Sequence, residues 1–133
     1  MNSNEARARS THWLRRAQET QRDALALIER GGSPEGIVNR TYYAMFYAVL
    51  ALLRSAGQEV SDEAGAASAF QRDYIKSRSL PRKLWKALEE AARLARQSES
   101  EEGAGITNDQ AFESYNAAVE FIRRVEQRLR ELA

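Results

Sequence analysis

Cysteine is absent from this chain, and histidine occurs once, as His12. The absence of cysteine excludes disulfide bonds, thiolate metal ligands and cysteine nucleophiles, and it fits a reducing compartment. One histidine near the N-terminus does not make a Ser-His-Asp triad, and no glycine-rich loop with a lysine is present to hold phosphates. We therefore expect neither a metal site nor a cofactor.

Proline and long apolar runs are scarce as well. The only two prolines are Pro34 and Pro81. The longest apolar run, Ala44 to Leu53, is about half of what spans a bilayer. The N-terminal residues contain no apolar segment typical of a signal peptide. These observations predict a cytoplasmic protein that does not enter a membrane.

Strong helix formers are abundant instead. Ala, Leu, Arg and Glu dominate the 133 residues, which favours an all-α protein with one domain spanning residues 1–133. Apolar periodicity and capping residues predict five helices, at about residues 5–30, 34–55, 63–77, 81–98 and 108–132. Short connectors favour antiparallel neighbours, so we predict an antiparallel up-down bundle of four long helices plus a shorter one.

Two of these helices have a predicted inward face that the structure can test. In the third helix the face comprises Ala66, Ala69, Phe70 and Ile75, with Tyr74 at its edge. In the last helix the expected inward residues are Phe112, Tyr115, Val119, Ile122, Val125 and Leu129.

The second helix concentrates the aromatic residues. It holds four of the nine Phe and Tyr residues of the chain within six positions, namely Tyr42, Tyr43, Phe46 and Tyr47. A helix that is apolar almost all the way round is typically wrapped by others or shared with a second chain. We therefore interpret these aromatics as core rather than as a ligand-stacking platform, and we predict a central helix and a homodimer.

Arg40 lies inside this apolar helix. A buried arginine must be paired, and Glu63, Glu99 or Glu113 are its candidate partners. A fold-specifying ion pair and a contact to a phosphate or nucleotide are the two roles that we consider for Arg40.

The net charge of +1 conceals an uneven distribution. Residues 71–96 include eight Lys and Arg against three acids, whereas residues 97–113 include five acids and no Lys or Arg. Such asymmetry marks either a surface that binds a partner or two solvated faces. If the partner is RNA or another anion, we expect it to contact Arg72, Lys76, Arg78, Arg82 and Lys83.

The segment NRTYYAMFYAVLALL, residues 39–53, resembles the central helix of HEPN (higher eukaryotes and prokaryotes nucleotide-binding) domains. Many small prokaryotic members carry a Ser-Arg-x-Tyr-Tyr-Ala-Met-Phe-Tyr-Ala signature there. The segments AASAFQRDYIKSRSLPRKLWKAL and AFESYNAAVEFIRRVEQRL extend the resemblance over about residues 13–129. It implies an antiparallel helical bundle, usually dimeric and often encoded beside a minimal nucleotidyltransferase that neutralises it. Many members are metal-independent ribonucleases that act as toxins or defence effectors.

The ribonuclease members use an Arg-x(4–6)-His motif, in which histidine moves a proton and arginine stabilises charge on the phosphate. The single histidine, His12, follows Arg7 at that spacing in the first helix, and no such pair occurs near the end of the third or fourth helix, where those members have the motif. Many relatives have a histidine at about the position of Glu63, and an Arg-x(3)-Asp-Tyr motif at the end of the fourth helix. The residues of this chain nearest to that motif are Arg93, Arg96 and Glu99, which makes them the candidate catalytic residues.

Three functions therefore stay open. The first is a HEPN-fold binding or regulatory protein of a toxin–antitoxin or defence-type system, with a nucleotidyltransferase-type protein, RNA or a nucleotide as its partner. The second is a metal-independent ribonuclease toxin with a degenerate active site, since a carboxylate can act as a general base. The third is a structural subunit of a larger assembly.

Overall fold

The computed structural model describes residues 3–100 and 105–132, and its regular structure is all helical. The helices are α1 (Ser3–Glu29), α2 (Pro34–Ser55), α3 (Glu63–Phe70), α4 (Arg82–Glu99) and α5 (Asn108–Leu132), with a π-helical turn at Gln71–Ile75 directly after α3. Four long helices and a short one confirm the predicted all-α bundle. No helix in the described ranges has the length and apolar character needed to cross a bilayer.

Helix α2 is the centre of the bundle, as predicted. It contacts all four other helices, and 14 of its 22 residues are buried. Ala44, Ala48 and Ala51 are fully buried, because small side chains let the neighbouring helices approach closely. Most of the apolar surface of α2 is thus covered within this chain, and Tyr43 and Tyr47 are its half-buried aromatic residues.

Two clusters fix the direction of the helices. At one end of the bundle, the start of α2 meets the end of α4 and the start of α5, through Ile37, Leu94 and Ala111. At the other end, the start of α1 meets the ends of α2 and α5, through Ser10, Ser55 and Leu129. Helices α1 and α4 therefore run antiparallel to α2 and α5, and α2 and α5 pack against each other.

The start of α3 is set by a side-chain cap. The carboxylate of Asp62 accepts a hydrogen bond of 2.8 Å from the backbone N–H of Gly65. A Cβ atom at Gly65 would lie 2.7 Å from the Asp62 carboxylate and 2.8 Å from Val60, so a larger residue there would displace the capping carboxylate. This cap places Glu63, the first residue of α3, at a defined position beside α2.

The predicted inward face of α5 is partly wrong. Phe112 and Val119 are 40% and 36% exposed. The buried face is displaced instead towards small residues at three of its six positions, and α5 packs on α2. The buried residues of α5 are Ala111, Ser114, Ala118, Phe121, Ile122 and Val125.

The third helix also differs from its prediction. The α-helix ends at Phe70, and the chain continues through the π-helical turn rather than as α-helix to residue 77. The wider turn rotates the side chains that follow, so Tyr74 is buried and Ile75 only half-buried, the reverse of the expectation. The hydroxyl of Tyr74 reaches the core side of α2 as a result.

The buried arginine of α2 is Arg54, not Arg40. Arg54 donates hydrogen bonds to the carbonyl oxygens of Gln58 and Val60, at 2.8 and 3.0 Å, and so holds the loop after α2. Arg40 is half-buried. Among the described residues it forms no ion pair with any of the three expected glutamates, because its guanidinium bonds to the Asn39 side chain at 3.1 Å.

Candidate functional site

A pocket of about 530 Å³ opens between α2, α3 and α4, and we call it the Tyr42 pocket. Its floor is apolar, because Phe46, Val49 and Leu88 are almost fully buried there. Its rim is polar and charged, and includes Tyr42, Glu63, Arg93 and Arg96. An apolar floor with a few convergent polar groups is the usual form of a small-molecule site.

Tyr42 and Glu63 form the one pair on this rim that joins α2 to α3. The Tyr42 hydroxyl donates a hydrogen bond to the Glu63 carboxylate. Burial raises the pKa of the Tyr42 hydroxyl, and the hydrogen bond to Glu63 raises it further. Tyr42 therefore stays protonated at neutral pH, where it can donate a hydrogen bond but cannot act as a general base.

Two of the three candidate catalytic residues lie at this pocket. Arg96 is exposed on its rim, and Arg93 beside it forms an ion pair with Glu90 one turn earlier on α4. Glu99 lies outside the pocket lining, at the end of α4, where its charge acts on Tyr43. The carboxylates that share the pocket with the arginines are Glu63 on α3 and Glu89 and Glu90 on α4.

A second cleft, of about 710 Å³, lies between α4 and the turn that follows the π-helical segment. Four cations line it, and we call it the basic groove after them: Lys76, Arg78, Arg82 and Lys86. Three of these belong to the predicted anion-binding set. The other two members of that set lie outside the lining and are paired, Arg72 with Asp73 at 2.8 Å and Lys83 with Glu120 at 3.2 Å.

The turn at the groove holds Arg78 in a strained backbone conformation. Arg78 has a φ of 65°, in the left-handed region that favours glycine. Hydrogen bonds from the backbone N–H of Arg78 to Ile75 (3.0 Å) and of Leu80 to Tyr74 (2.8 Å) close the turn. Strain of this kind clusters at functional sites, where the surrounding structure holds a side chain in place.

The Tyr42 pocket and the basic groove adjoin each other. Both are lined by Trp85, Lys86 and Glu89 of α4. The charged residues that line the two clefts lie along one side of α4, from Arg82 to Arg96. This part of the helix is about 21 Å long. Half-buried Trp85 lies between the two clefts, with its ring 6.5 Å from that of Phe70.

A third feature is a row of half-buried aromatic rings along the junction of α1 and α2, formed by Trp13, Tyr43 and Tyr47. We call this row the aromatic seam. Arg16 lies over the Tyr47 ring at 5.1 Å, and Arg40 lies over the Tyr43 ring at 5.6 Å. Arginine over an aromatic face is a favourable cation–π arrangement.

The only histidine does not lie in either cleft. His12 is exposed on α1, edge-on to Trp13 with ring centres 5.0 Å apart, and it lines neither the Tyr42 pocket nor the basic groove. In the part of the chain that the structure describes, no three His, Asp or Glu residues are grouped as a metal site.

Comparison with known proteins decides the family. The sequence model of the HEPN domain matches residues 10–128. The chain belongs to the HEPN domain family. A UPF0332 protein of Thermotoga maritima is 39% identical over 75 residues, which is 56% of this chain and 56% of that protein. No solved structure matches the chain.

The HEPN resemblance in the sequence identified the family but not the whole site. It named Glu63 only as the position of a histidine in relatives. The interpretation of Tyr42 as core, made from the apolar pattern of α2, is confirmed, and the hydroxyl of this core residue also lies at the pocket. Lys86 and Trp85 were missed, although their spacing from Arg82, at i+4 and i+3, would have placed them on the same side of α4.

Proposed function

We propose that this HEPN domain is a cytoplasmic RNA-binding module of a toxin–antitoxin or defence-type system, and that it binds RNA through the basic groove without cutting it. The observation that supports this function best is the convergence of four cations around half-buried Trp85. A positive groove that follows the phosphates, with an aromatic ring on which a base can stack, is the common design of single-strand binding proteins.

The cations of the groove are available to a ligand. Within the described ranges, Lys76, Arg78, Arg82 and Lys86 form no ion pair, although seven other Lys and Arg residues do. The single acid in the described lining is Glu89. When unpaired cations of a protein neutralise phosphates, they release the counterions condensed on the nucleic acid, and this release is the main driving force for non-specific RNA association.

The first turn of α4 adds positive potential to the groove. Its N-cap residue, Pro81, makes no side-chain hydrogen bond to the amides of the first turn. Exposed amides at a helix N-terminus attract anions, so the backbone and the cations act in the same direction at this point.

The Tyr42 pocket supplies little for cleavage. Metal-independent cleavage of RNA needs a group that takes a proton and a group that gives one. Tyr42 is held in its protonated form, Arg93 is engaged by Glu90, and no histidine is among the described residues that line the pocket. A second candidate function, a ribonuclease, is favoured only by the presence of Glu63 and Arg96 on one rim, where Glu63 would be the base.

We further propose that the aromatic seam joins two copies in a homodimer. Tyr, Trp and Arg are the residues most enriched at the energetic centres of interfaces, and the seam consists of these three types. A nucleotidyltransferase-type partner, which the family resemblance implies, is a second protein that this surface would suit. A purely structural subunit would use the seam and would not bind RNA.

Incubation of an end-labelled RNA with an equal concentration of protein, in EDTA, separates these functions. We expect a gel-shifted complex that contains only full-length RNA, for the wild type and for Arg96→Ala alike. RNA fragments that disappear in Arg96→Ala and in Glu63→Gln would show that the protein is a ribonuclease. Fragments of equal intensity in all three preparations would indicate a contaminating nuclease.

A further inference from the structure

The Tyr42 pocket has two properties that binding of phosphates does not require. Its floor of Phe46, Val49 and Leu88 is apolar, whereas phosphate sites are polar. Its lining also presents three carboxylates, which repel phosphate: Glu63 on α3, Glu89 on α4, and Glu90, which pairs with Arg93. A ligand that suits both properties has a flat apolar face and N–H donors at its edge.

The Glu63 carboxylate is oriented and still has free acceptor capacity. The Tyr42 hydroxyl donates to one of its oxygens, and Asp62 fixes the helix end from which Glu63 projects. A carboxylate has about four lone-pair positions. Glu63 is exposed, so the remaining positions can accept hydrogen bonds from a ligand in the pocket. The raised pKa of Tyr42 keeps its proton on the phenol, and the carboxylate thus remains an acceptor.

The Tyr42 pocket lies next to the basic groove, where a bound RNA strand would place its bases. Because it shares Trp85 and Lys86 with the basic groove, a strand whose phosphates lie in the groove brings its neighbouring base to the mouth of the pocket. Arg96 on the far rim, which forms no ion pair in the described ranges, attracts the next phosphate, whereas Arg93 is neutralised by Glu90. Arg96 also opposes the entry of a cationic side chain of a protein partner, and this makes a neutral base the better candidate.

We propose that the Tyr42 pocket binds a guanine base, with the Glu63 carboxylate accepting hydrogen bonds from the ring N1–H and the exocyclic N2 amino group. Guanine is the base that offers two adjacent N–H donors on one edge, which matches the two oxygens of a carboxylate. Adenine and cytosine would place a ring nitrogen lone pair against one of those oxygens, and uracil would place a carbonyl there. An acceptor facing an acceptor loses a hydrogen bond and adds repulsion.

This inference deepens the proposed function, since the base would belong to the RNA in the groove, but it can be tested with mononucleotides alone. Calorimetric titrations would compare GMP, IMP, AMP and UMP on the wild type. IMP keeps N1–H and lacks the N2 amino group. We expect GMP to bind about tenfold more tightly than AMP or UMP, with IMP between, because one bidentate pair discriminates by about that factor.

Three variants complete the test. Glu63→Gln should remove the preference for GMP, because an amide cannot accept two hydrogen bonds side by side, and the affinity for UMP should not change. Tyr42→Phe should weaken the preference in part, since the carboxylate loses its anchor. Glu113→Gln, the same substitution at an exposed position of α5, should leave the affinities for all four nucleotides unchanged. Equal affinities for all four nucleotides, or a preference that survives in Glu63→Gln, would overturn the proposal.

Two short RNAs separate this inference from the proposed function. If U8 and the same octamer with one central G both bind with equal affinity, and GMP shows no preference, RNA binding stands and the guanine site is wrong. If neither octamer binds while GMP keeps a Glu63-dependent preference, the guanine site stands and RNA binding is wrong. Tighter, Glu63-dependent binding of an arginine amide than of GMP would assign the pocket to a protein partner and contradict the guanine site.

Discussion

The hydroxyl of Tyr74 donates a hydrogen bond of 3.2 Å to the carbonyl oxygen of Leu52 in α2. This bond anchors the π-helical turn to the central helix, and the ring of Tyr74 stacks at 6.2 Å from that of Phe70. Gln71 and Ile75 of the same turn line the basic groove. The position of the groove cations therefore depends on a buried tyrosine that remains protonated.

Alkaline pH should destabilise the protein more than the loss of surface ion pairs would explain. Burial raises the pKa of Tyr42, Tyr43 and Tyr74. An unfolded tyrosine titrates near pH 10. Below about pH 10 these tyrosines are protonated in both the folded and the unfolded protein, and their contribution to stability is fully present. Above about pH 10 the unfolded protein loses the tyrosine protons first, so the free energy of unfolding falls. Urea unfolding between pH 8 and 11 should show this decline. It should be shallower in Tyr42→Phe, and an identical slope in that variant would contradict the assignment.

Two phenylalanines should differ in their contribution to stability. Phe121 is fully buried, and Phe121→Ala should cost about 3–5 kcal/mol through lost burial and a cavity. Phe46 is 9% exposed on the floor of the open Tyr42 pocket, so water can enter the space that Phe46→Ala leaves. We expect a smaller cost there, about 2–3 kcal/mol. Chemical denaturation measures both, and an equal or larger loss for Phe46 would mean that the pocket is closed in solution.

Arg78 should show opposite effects on stability and on binding. Glycine accepts the left-handed conformation that Arg78 adopts, and the strain of an L-residue there is about 1–2 kcal/mol, partly offset by the greater entropy of an unfolded glycine. Arg78→Gly should therefore leave stability unchanged or raise it by about 1 kcal/mol, while RNA binding weakens. Thermal unfolding and an RNA titration on one preparation check the pair of effects. A variant that is less stable and binds RNA as the wild type does would refute both parts.

The aromatic seam should determine the oligomeric state. Light scattering at tens of micromolar should give a dimer for the wild type, and a monomer for the double variant Tyr43→Ala, Tyr47→Ala, with its helical content retained. The double variant Leu25→Ser, Phe112→Ser removes exposed apolar side chains elsewhere on α1 and α5, and should remain a dimer. A wild type that is monomeric at this concentration would exclude the homodimer.

Local signals in the sequence predicted the helices well. Ser33 accepts from the N–H of Gly36 at 3.0 Å with Pro34 following it, as the start of α2 required. Thr107 and Gln110 form a reciprocal capping box at the start of α5, with bonds of 3.0 and 2.9 Å. Both caps depend on residues that are close together in the chain, and such local interactions can be predicted from the sequence alone.

The predictions that were wrong concern residues whose burial depends on tertiary packing. Phe112 is more hydrophobic than Ser114, yet Ser114 is buried, because a small side chain lets α5 approach its neighbour. The π-helical turn has no distinctive sequence pattern, so the burial of Tyr74 was not foreseen. The pairing of Tyr42 with Glu63 joins residues 21 positions apart on two helices, and only the packing of α3 on α2 brings them together.

The measurement that tests the central claim most directly is the salt dependence of RNA binding. For a single strand, the slope of log K against log salt changes by about 0.7 for each phosphate contact. The double variant Arg78→Gln, Arg82→Gln should therefore bind more weakly, with a slope shallower by about 1.4 than that of the wild type. The control is the double variant Arg15→Gln, Arg22→Gln, which removes the same charge from two exposed positions of α1. It should retain the wild-type slope. Equal slopes and affinities for all three proteins would contradict binding in the basic groove.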